Sequence, residues 1–461
     1  MNLSAARLWR KTLPIFWRIV CSVCRCVNVW CVFCTQASAN KFFHHGEHRG
    51  RGEKKGPVFF VVSVVKSFMT QSFPIIIAGA GPVGLSLALA LSRAGIPAEV
   101  FEMDAELNTQ IRASTFHPKT LEMFKDWGVV DEIIQHGYKV DQLQYWERVP
   151  RRLIADFSYA SIADDTPYPY RLQCPQHVAT RVLKPAVEAT ATGKVHMGHK
   201  LIDFVDHGTH VTARFETANG IVEREGSYIV GADGSHSVVR KQLNIGFKGK
   251  TYEDRFLLIG SDLKTEDLLP GAAQVCYVFD PQEWVIILNL PDIVRVVFRM
   301  TDDEDETTAM KEENLRARIF NFFGKVPDYR IKTTQLYRVH QRVADTFRVG
   351  RALLVGDSAH NNNPSGGMGM NSGIHDAANL TEKFIRIWNG ESDSILDDYS
   401  NERRQYAVES VQLYTDQQYN NMVMSAEEER ERRNKSLSGA ASDLAKARAY
   451  LLRASMLEER I

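Results

Sequence analysis

The stretch that decides the fold is PIIIAGAGPVGLSLALALSRAGIPAEVFE, from Pro74 to Glu102. It begins with an apolar, strand-like run, turns through a glycine-rich loop, and continues into a helical segment rich in Ala and Leu. A second strand-like run ends at Glu102, 18 residues after Gly84. Strand, glycine loop, helix, strand and acid, in that order, form the fingerprint of a dinucleotide-binding βαβ unit.

Each residue type in this fingerprint has a physical purpose. Gly79 permits the tight turn, Gly81 lets the backbone approach a pyrophosphate, and Gly84 lets the helix pack closely on the strand. The start of the helix offers unpaired N–H groups to phosphate oxygens, and Glu102 is placed to accept hydrogen bonds from an adenosine ribose. The fingerprint therefore predicts a nucleotide cofactor, and by itself it does not distinguish FAD from NAD.

The composition is that of an ordinary globular protein, with 44% hydrophobic and 24% charged residues among 461. Residues 1–68 contain 11 Lys and Arg against 2 Asp and Glu, so the net charge of zero divides into +9 there and −9 in the remainder. Residues 69–461, which we call the body, are therefore acidic and give no electrostatic reason to expect nucleic acid as a partner. Only Cys174 and Cys276 lie in the body, which fits a reducing, cytoplasmic location without disulfides.

Residues 1–68 differ from everything that follows them. Arg18 and Arg25 interrupt their apolar run, and each is costly inside a membrane span. Their two Cys-x-x-Cys pairs are only six residues apart, too close for an ordinary zinc motif, so we expect no metal site. Because Met69 stands just before the first strand, we expect translation to begin there. The alternative is that residues 1–68 form a basic anchor at a membrane surface.

In each of two further stretches, an aspartate directly follows a predicted strand and begins a loop. SYIVGADGSHSVVR, residues 227–240, places Asp233 between a strand and a short helix. ALLVGDSAHNNNPSGGMGMNSGIHDAANL, residues 352–380, places Asp357 after a strand, and a Pro/Gly loop then opens a longer helix. Because such a loop presents backbone N–H groups, this stretch predicts a second segment suited to a flavin or a phosphate.

Between these motifs, helical and strand-like patterns alternate. Helical spacing marks Leu107–Gly137 and Gln176–Glu188, whereas Leu143–Tyr170 and His196–Tyr228 have the pattern of strands and hairpins. The later expectations are, in chain order, antiparallel strands at 275–279, 284–290 and 294–299, a charged helix at 301–325, a strand at 335–342, a helix at 396–419, and solvated helices at 425–461 with a break at 436–439.

Together the three motifs resemble those of the group A FAD-dependent aromatic hydroxylases, the p-hydroxybenzoate and phenol hydroxylase superfamily, over about residues 75–400. GAGPVG is common to many nucleotide-binding proteins, but GADG and GDSAHNNNPSGG at these separations are much more specific. The resemblance implies an α/β fold in which a Rossmann-like FAD-binding domain carries an inserted antiparallel β-sheet substrate domain and C-terminal helices.

The same resemblance implies a division into domains. Residues 69–250 and 346–400 would form the FAD-binding domain, 251–345 the β-rich substrate domain, and 401–461 the C-terminal helices. We expect strands within residues 143–172 to join the substrate sheet.

At the adenosine end of the cofactor, the resemblance implies that Gly79, Gly81 and Gly84 lie at the FAD pyrophosphate and that Glu102 binds the ribose. Arg112, in its IRAS context, is similar to the family's arginine near the FAD and the path of the reductant.

At the flavin end, Gln176 and Asp357 match residues that contact the ribityl chain, and Asp233 with Gly234 matches a motif implicated in both FAD and NAD(P)H binding. Pro364 lies where a backbone carbonyl of the family meets the substrate hydroxyl, and no side-chain catalyst is assigned. The segment around the isoalloxazine ring would comprise Gly356, Pro364, Gly366, Gly367, Gly369, Met370 and Asn371. The asparagines at 361–363 replace more apolar residues and suggest a more polar wall.

The implied activity is the hydroxylation of an aromatic, phenolic substrate with NAD(P)H and O2 as co-substrates. In this family, oxygen adds to the reduced flavin at C4a, and the distal oxygen of the hydroperoxide is transferred to the ring. The alternatives are a membrane-associated quinol hydroxylase of the ubiquinone-biosynthesis type and a flavin-dependent reductase of the same fold. His177, His360 and His375 are acid–base candidates, although a lone histidine has many structural uses.

The expected partners are therefore small molecules: the aromatic substrate, O2 and NAD(P)H. The body contains no apolar run long enough to span a membrane, so membrane contact would be peripheral. Both a monomer and a homodimer agree with the sequence.

Overall fold

A computed structural model of the chain describes residues 73–110, 112–300 and 303–458. The expectations about residues 1–68, including the start at Met69 and the cysteine pairs, lie outside these residues. The described helices, numbered in chain order, are α1 (Pro82–Arg93), α2 (Pro118–Asp126), α3 (Val130–Gln135), α4 (Gln176–Glu188), α5 (Val238–Gln242), α6 (Thr265–Leu268), α7 (Glu306–Ala309), α8 (Glu312–Phe323), α9 (Gly369–Trp388), α10 (Ile395–Tyr406), α11 (Leu413–Val423), α12 (Glu427–Ala441) and α13 (Leu444–Ala454).

A six-stranded sheet carries the three sequence motifs. All its strand pairs are parallel except the one at the β18 edge. From one edge to the other its strands are β18 (Arg348–Val349), β19 (Ala352–Leu354), β12 (Tyr228–Gly231), β1 (Ile75–Ala78), β2 (Ala98–Phe101) and β8 (Gly193–His196). All four residues of β1 are buried, as expected for a parallel strand covered on both faces. Helix α1 packs against both α4 and α9.

An eight-stranded sheet forms the second layer, and it is antiparallel except where β14 pairs with β5. In spatial order its strands are β20 (His360–Asn361), β17 (Ile331–Ala344), β13 (Phe247–Ser261), β16 (Ile293–Met300), β15 (Val285–Leu290), β14 (Val275–Phe279), β5 (Gln142–Glu147) and β6 (Arg152–Ser158). The three predicted antiparallel strands are confirmed as β14, β15 and β16. Alternate residues face opposite cores: Phe256 packs with Trp284, whereas Leu257 packs on the side of α8.

Two small sheets complete the strands that the structure describes. One consists of β9 (Lys200–Asp206), β10 (Val211–Thr217) and β11 (Gly220–Gly226), and the other of β3 (Thr115–Phe116), β4 (Tyr138–Val140) and β7 (Arg171–Gln173). The placement of β7 differs from our expectation for residues 143–172, because β5 and β6 enter the eight-stranded sheet and β7 does not. The Cys174 amide donates to Ser114 O at 2.7 Å, which draws the chain back toward β3 before α4 begins.

The C-terminal helices correct a further expectation. The predicted break at Ser436–Gly439 is wrong, since these residues lie within α12, and the chain turns instead just before α13. There the Asp443 side chain caps α13 by accepting from Lys446 N at 3.1 Å. The helices are also not simply solvated, because Leu437 and Leu451 are buried against the eight-stranded sheet. Among the described residues, no helix has the length and apolar character needed to cross a bilayer.

Candidate active site

The three sequence motifs meet at the carboxyl edge of the six-stranded sheet. Ala232 N donates to Ala78 O at 2.8 Å, which joins the ends of β12 and β1, and Val355 N donates to Gly231 O at 3.0 Å, which joins β19 to β12. The loops that follow these three parallel strands are therefore neighbours, although the sequence separates them widely. This edge is where open α/β sheets bind ligands.

The glycines of the first loop fall into two kinds. A Cβ on Gly79, whose φ is +108°, would lie 2.5 Å from Ala232 O, and a Cβ on Gly84 would lie 2.1 Å from Gly79 O. By contrast, a Cβ on Gly81 would meet nothing within 4 Å among the described residues. The first two glycines permit contacts within the protein, whereas Gly81 turns a bare backbone toward open space.

The start of α1 is arranged to receive an anion. No side chain caps it, no acidic residue lies in its first turn, and Pro82 occupies the first helical turn, where a missing N–H costs nothing. Its free N–H groups and the helix dipole favour a phosphate there. Beside the loop, Glu102 accepts from Ala80 N at 2.7 Å and from Asp104 N at 3.1 Å, which holds the carboxylate at the end of β2.

The Gly356–Asp357 turn packs directly on the first motif. Gly356 has φ +59°, and a Cβ there would lie 3.0 Å from Val83 of α1. The Asp357 side chain is accessible to solvent, yet the protein atoms around its carboxyl raise the pKa by desolvation, while His360 and Arg112 oppose the rise. Arg112 and Asp357, distant in sequence, therefore lie close enough to interact electrostatically.

A buried ionic network supports this turn from behind. Asp376 of α9 accepts from Gly356 N at 2.9 Å, from His360 Nε2 at 2.9 Å and from Arg403 Nε at 2.7 Å. Burial alone would raise the pKa of Asp376, but His360 and Arg403 together lower it. His360 thus serves the scaffold, and His375 likewise contacts a scaffold residue, Thr120, at 3.0 Å.

Asn371 organises the loop that precedes α9. Its side chain is fully buried, with the amide oxygen accepting from His117 N and Thr120 Oγ and the amide nitrogen donating to Thr115 O and Gly367 O. These bonds tie the loop to β3 and α2.

The loop itself contacts the eight-stranded sheet and the segment that follows β3. Gly366 N donates to Tyr277 Oη of β14 at 3.0 Å, and His117 Nε2 donates to Gly366 O at 2.9 Å. Pro364 is exposed, whereas Asn363 is fully buried and donates to Tyr252 Oη at 2.9 Å. Of the three asparagines expected to form a polar wall, Asn363 therefore faces the protein interior. The remaining predicted loop residues, Gly369 and Met370, form the first turn of α9.

The second motif connects to the third through an arginine. Asp233 Oδ2 accepts from Val238 N at 2.7 Å, and burial raises the pKa of this carboxyl. Its buried Oδ1 has no partner with normal hydrogen-bond geometry among the described residues. Gly234 follows with φ +74°. Arg240 donates to Ser235 O at 2.6 Å and to Ser358 O at 2.7 Å, so it ties the Asp233 loop to the Asp357 turn.

Gln176 begins α4 next to the segment that carries Arg112, since Gln176 N donates to Ala113 O at 2.9 Å. From the eight-stranded sheet, Arg295 donates to Arg112 O at 3.0 Å. Desolvation, followed by the neighbouring Arg181 and Arg295, lowers the pKa of His177. This flank of the site is therefore positively charged.

Sequence reasoning missed a group of buried tyrosines beside the loop. Tyr145 Oη and Tyr450 Oη share a 2.6 Å hydrogen bond, and the Tyr145 ring stacks on Tyr277 at 5.3 Å between centroids. A Cβ on Gly366 would lie 2.9 Å from the Tyr414 ring. These residues come from β5, β14, α11 and α13, and no spacing within any one segment could have revealed them.

These observations fit an FAD-binding site. The bare Gly81 backbone and the uncapped start of α1 suit a pyrophosphate, and the accessible Asp357 carboxyl and the unpartnered Asp233 Oδ1 can accept hydrogen bonds from hydroxyl groups. The fold and the site together define a flavin-binding α/β protein with a β-sheet layer over the cofactor loop.

A family model described as "FAD binding domain" matches residues 72–413. Para-nitrophenol 4-monooxygenase from Pseudomonas sp. is 29% identical over 82% of this chain and 94% of its own length. A flavin-dependent monooxygenase from Mycobacteroides abscessus is 30% identical over 76% of this chain and 75% of its own. The crystal structure of p-nitrophenol 4-monooxygenase from Pseudomonas putida superimposes with a TM-score of 0.79 at 28% identity, over 84% of this chain and 99% of that one.

The chain therefore belongs to the FAD-binding domain family, and its cofactor is FAD. The predicted resemblance to the flavin-dependent aromatic hydroxylases and the predicted fold class are both confirmed.

Proposed function

We propose that the protein is an FAD-dependent monooxygenase that uses NAD(P)H and O2 to hydroxylate an aromatic, phenolic substrate. The observation that carries this proposal is the meeting of all three motifs at one sheet edge, in a chain whose relatives are named monooxygenases. When bound, FAD supplies the activation of oxygen and its transfer. The protein binds the reactants, orients them and excludes water.

At the adenosine end, Gly81 and the start of α1 hold the pyrophosphate through backbone N–H groups. Gly79 and Gly84 allow that loop to pack on the Asp233 segment. Glu102, already fixed by Ala80 N, accepts from the ribose.

At the flavin end, Asp357 and Gln176 bind the ribityl chain, and Arg112 lies on the path of the reductant. Pro364 presents its backbone to the substrate, and Asn371 holds the loop in place through its four hydrogen bonds. The buried tyrosines next to Gly366 close the other side of the substrate space.

We also propose the domain division expected from the sequence, with residues 69–250 and 346–400 binding FAD, 251–345 forming the substrate layer, and 401–461 covering it. A cytoplasmic location is supported by Cys174 and Cys276, which are both buried free thiols. Burial raises the pKa of Cys174 to about 12, so its thiol stays protonated and unreactive.

The test is NAD(P)H oxidation in air by the FAD-loaded full chain, across a panel of phenols and quinols, with product masses. Hydroxylation requires a product heavier by one oxygen atom from at least one phenol. A protein that binds FAD but forms no such product with any ring would contradict the hydroxylase assignment. Failure to bind FAD at all would contradict the cofactor assignment as well.

A further inference from the structure

Arg171 is a buried cation without a matching anion. It begins β7, is 2% exposed, and pairs through its backbone with Val140 of β4. Its buried Nε and Nη2 atoms have no partner with normal hydrogen-bond geometry among the described residues, although the Tyr159 hydroxyl lies nearby. Across the described residues, no carboxylate forms an ion pair with its guanidinium.

Such an arrangement is costly unless something compensates it. A buried charge that lacks a partner loses its hydration and is strongly destabilising. A guanidinium remains charged at any pH that a folded protein tolerates, so it cannot escape the cost by losing its proton. The fold keeps this charge in place, which points to a negatively charged group supplied from outside the chain.

The surroundings of Arg171 also suit an anion. The Tyr159 ring centre lies 6.0 Å from Cζ of Arg171, and Tyr145, Tyr277 and Tyr414 are also near enough to interact electrostatically with the guanidinium. Burial raises the pKa of Tyr145, Tyr159 and Tyr414, so these hydroxyls stay protonated and able to donate. Tyr159 Oη lies close enough to Arg171 and Ser455 Oγ to interact with both. Among the described residues, however, neither of these two buried hydroxyl oxygens has a partner with normal hydrogen-bond geometry.

This group lies against the cofactor loop. Tyr277 bonds to Gly366 N, and the Tyr414 ring lies against Gly366. His117 donates to Gly366 O, and burial and then the charge of Arg171 lower the pKa of His117. A neutral His117 adds no second positive charge, so Arg171 is the cation that an anion at this position would meet.

We propose that Arg171 determines substrate specificity by binding an anionic oxygen of the aromatic substrate, with Tyr159 as a neighbouring donor. The inference rests on the proposed function and narrows it to rings that carry a negative charge, either an ionised phenol or a ring carboxylate. The alternative is that Arg171 serves packing alone. In that case its N–H groups would stay unsatisfied, and the protein would show no preference for anionic rings.

The test compares equilibrium binding of matched anionic and neutral rings to the FAD-loaded full chain at pH 8, by calorimetry and flavin absorbance. One pair is 4-hydroxybenzoate and 4-hydroxybenzamide, which reports on a carboxylate. The other is 4-nitrophenolate and 4-nitroaniline, which reports on a phenolate. Arg171→Met removes the charge and Arg171→Lys keeps it. The control, Arg433→Met, removes a buried arginine that lies over the Phe279 ring with its N–H groups bonded to Asn421 and Asn434.

We expect the native protein to prefer the anion in at least one pair, and Arg171→Met to reduce that preference about tenfold or more, since charged hydrogen bonds are the strong ones. Arg171→Lys should keep part of the preference for the anion, and Arg433→Met should keep all of that preference. Equal binding of anion and neutral ring by the native protein in both pairs would overturn the inference even if Arg171→Met fails to fold. So would an unchanged preference in Arg171→Met. Either result would leave FAD binding and hydroxylation of other phenols intact.

Discussion

At the scale of single residues, the glycines of the first loop have two different roles. One glycine affects the stability of the protein, and another affects its affinity for the cofactor. Gly84 faces protein atoms and Gly81 faces none within 4 Å. Alanine at the two positions therefore has different consequences, although both residues belong to one fingerprint.

Gly84→Ala should destabilise the protein without FAD by about 1–3 kcal/mol, because the new methyl group collides with Gly79 O and Ala232. Gly81→Ala should leave the unfolding midpoint of the FAD-free protein unchanged and weaken FAD binding, because its methyl group occupies the approach to the pyrophosphate. Urea unfolding and FAD titration measure the two effects. Equal loss of stability in both variants would contradict this assignment of roles.

Asp357→Ala should raise the Kd for FAD about tenfold or more through the loss of a charged hydrogen-bond acceptor. Asp357→Asn, which keeps an acceptor without the charge, should fall between that variant and the native protein. Asp328→Ala is the control, since Asp328 is an exposed carboxylate elsewhere in the chain. Flavin fluorescence titration gives the three affinities, and undiminished FAD affinity in Asp357→Ala would count against its role.

At the scale of elements, Asp376 joins α9, α10 and the Gly356 turn. Its folded-state pKa lies below the ordinary value of about 3.9. The stability that this carboxylate contributes is therefore fully present above about pH 4 and is lost as the pH falls below that value through the folded-state pKa.

Asp376→Asn should lower the free energy of unfolding at pH 7 by about 3–5 kcal/mol, because it breaks the buried ion pair between Asp376 and Arg403. The difference from the native protein should shrink as the pH falls below about 4, because Asp376 is then protonated in the unfolded state and, at still lower pH, in the folded state. Urea unfolding across pH 3–7 measures this convergence. Parallel pH profiles for the two proteins would show that Asp376 is not the titrating group.

At the scale of the whole molecule, the last described helix is joined to the eight-stranded sheet by hydrogen bonds beside the site. Tyr450 of α13 bonds to Tyr145 of β5, and Gln418 of α11 donates to the Tyr450 hydroxyl at 3.2 Å. The C-terminal helices thus contribute Tyr414 and Tyr450 to the group of tyrosines beside the cofactor loop.

Tyr450→Phe should lower the free energy of unfolding by about 1–3 kcal/mol, because Gln418 Nε2 loses its acceptor and Tyr145 Oη keeps one bond, to Gln418 Oε1, in place of two. It should also raise the fraction of NAD(P)H that is consumed with release of hydrogen peroxide, since the site excludes water less well. Tyr329→Phe is the control, because the Tyr329 hydroxyl has no partner with normal hydrogen-bond geometry among the described residues, and the nearby Arg316 also pairs with Glu312. Peroxide and product yields per NAD(P)H measure the effect, and identical yields in both variants would contradict it.

The features that depend on contiguous residues were predictable. The GAGPVG loop, its helix and Glu102 form one βαβ unit whose geometry follows from local sterics, so the cofactor fold was evident from the chain. The strands β14, β15 and β16 were equally predictable, because their segments are rich in β-branched and aromatic residues. The prediction of a helix break at Ser436–Gly439 was wrong, because the packing of buried Leu437 outweighs the weak helix propensity of serine and glycine.

The sequence by itself determined the cofactor-binding architecture and the class of chemistry, because those depend on motifs that each lie within about thirty residues. Only the tertiary structure decided which residues surround the substrate space. Arg171 and its tyrosines come from β5, β7, β14 and α11 and from the short turn at Tyr159, and burial alone makes an unpaired guanidinium significant. Charge and desolvation act through space, so their effect on specificity emerges only when distant segments are packed together.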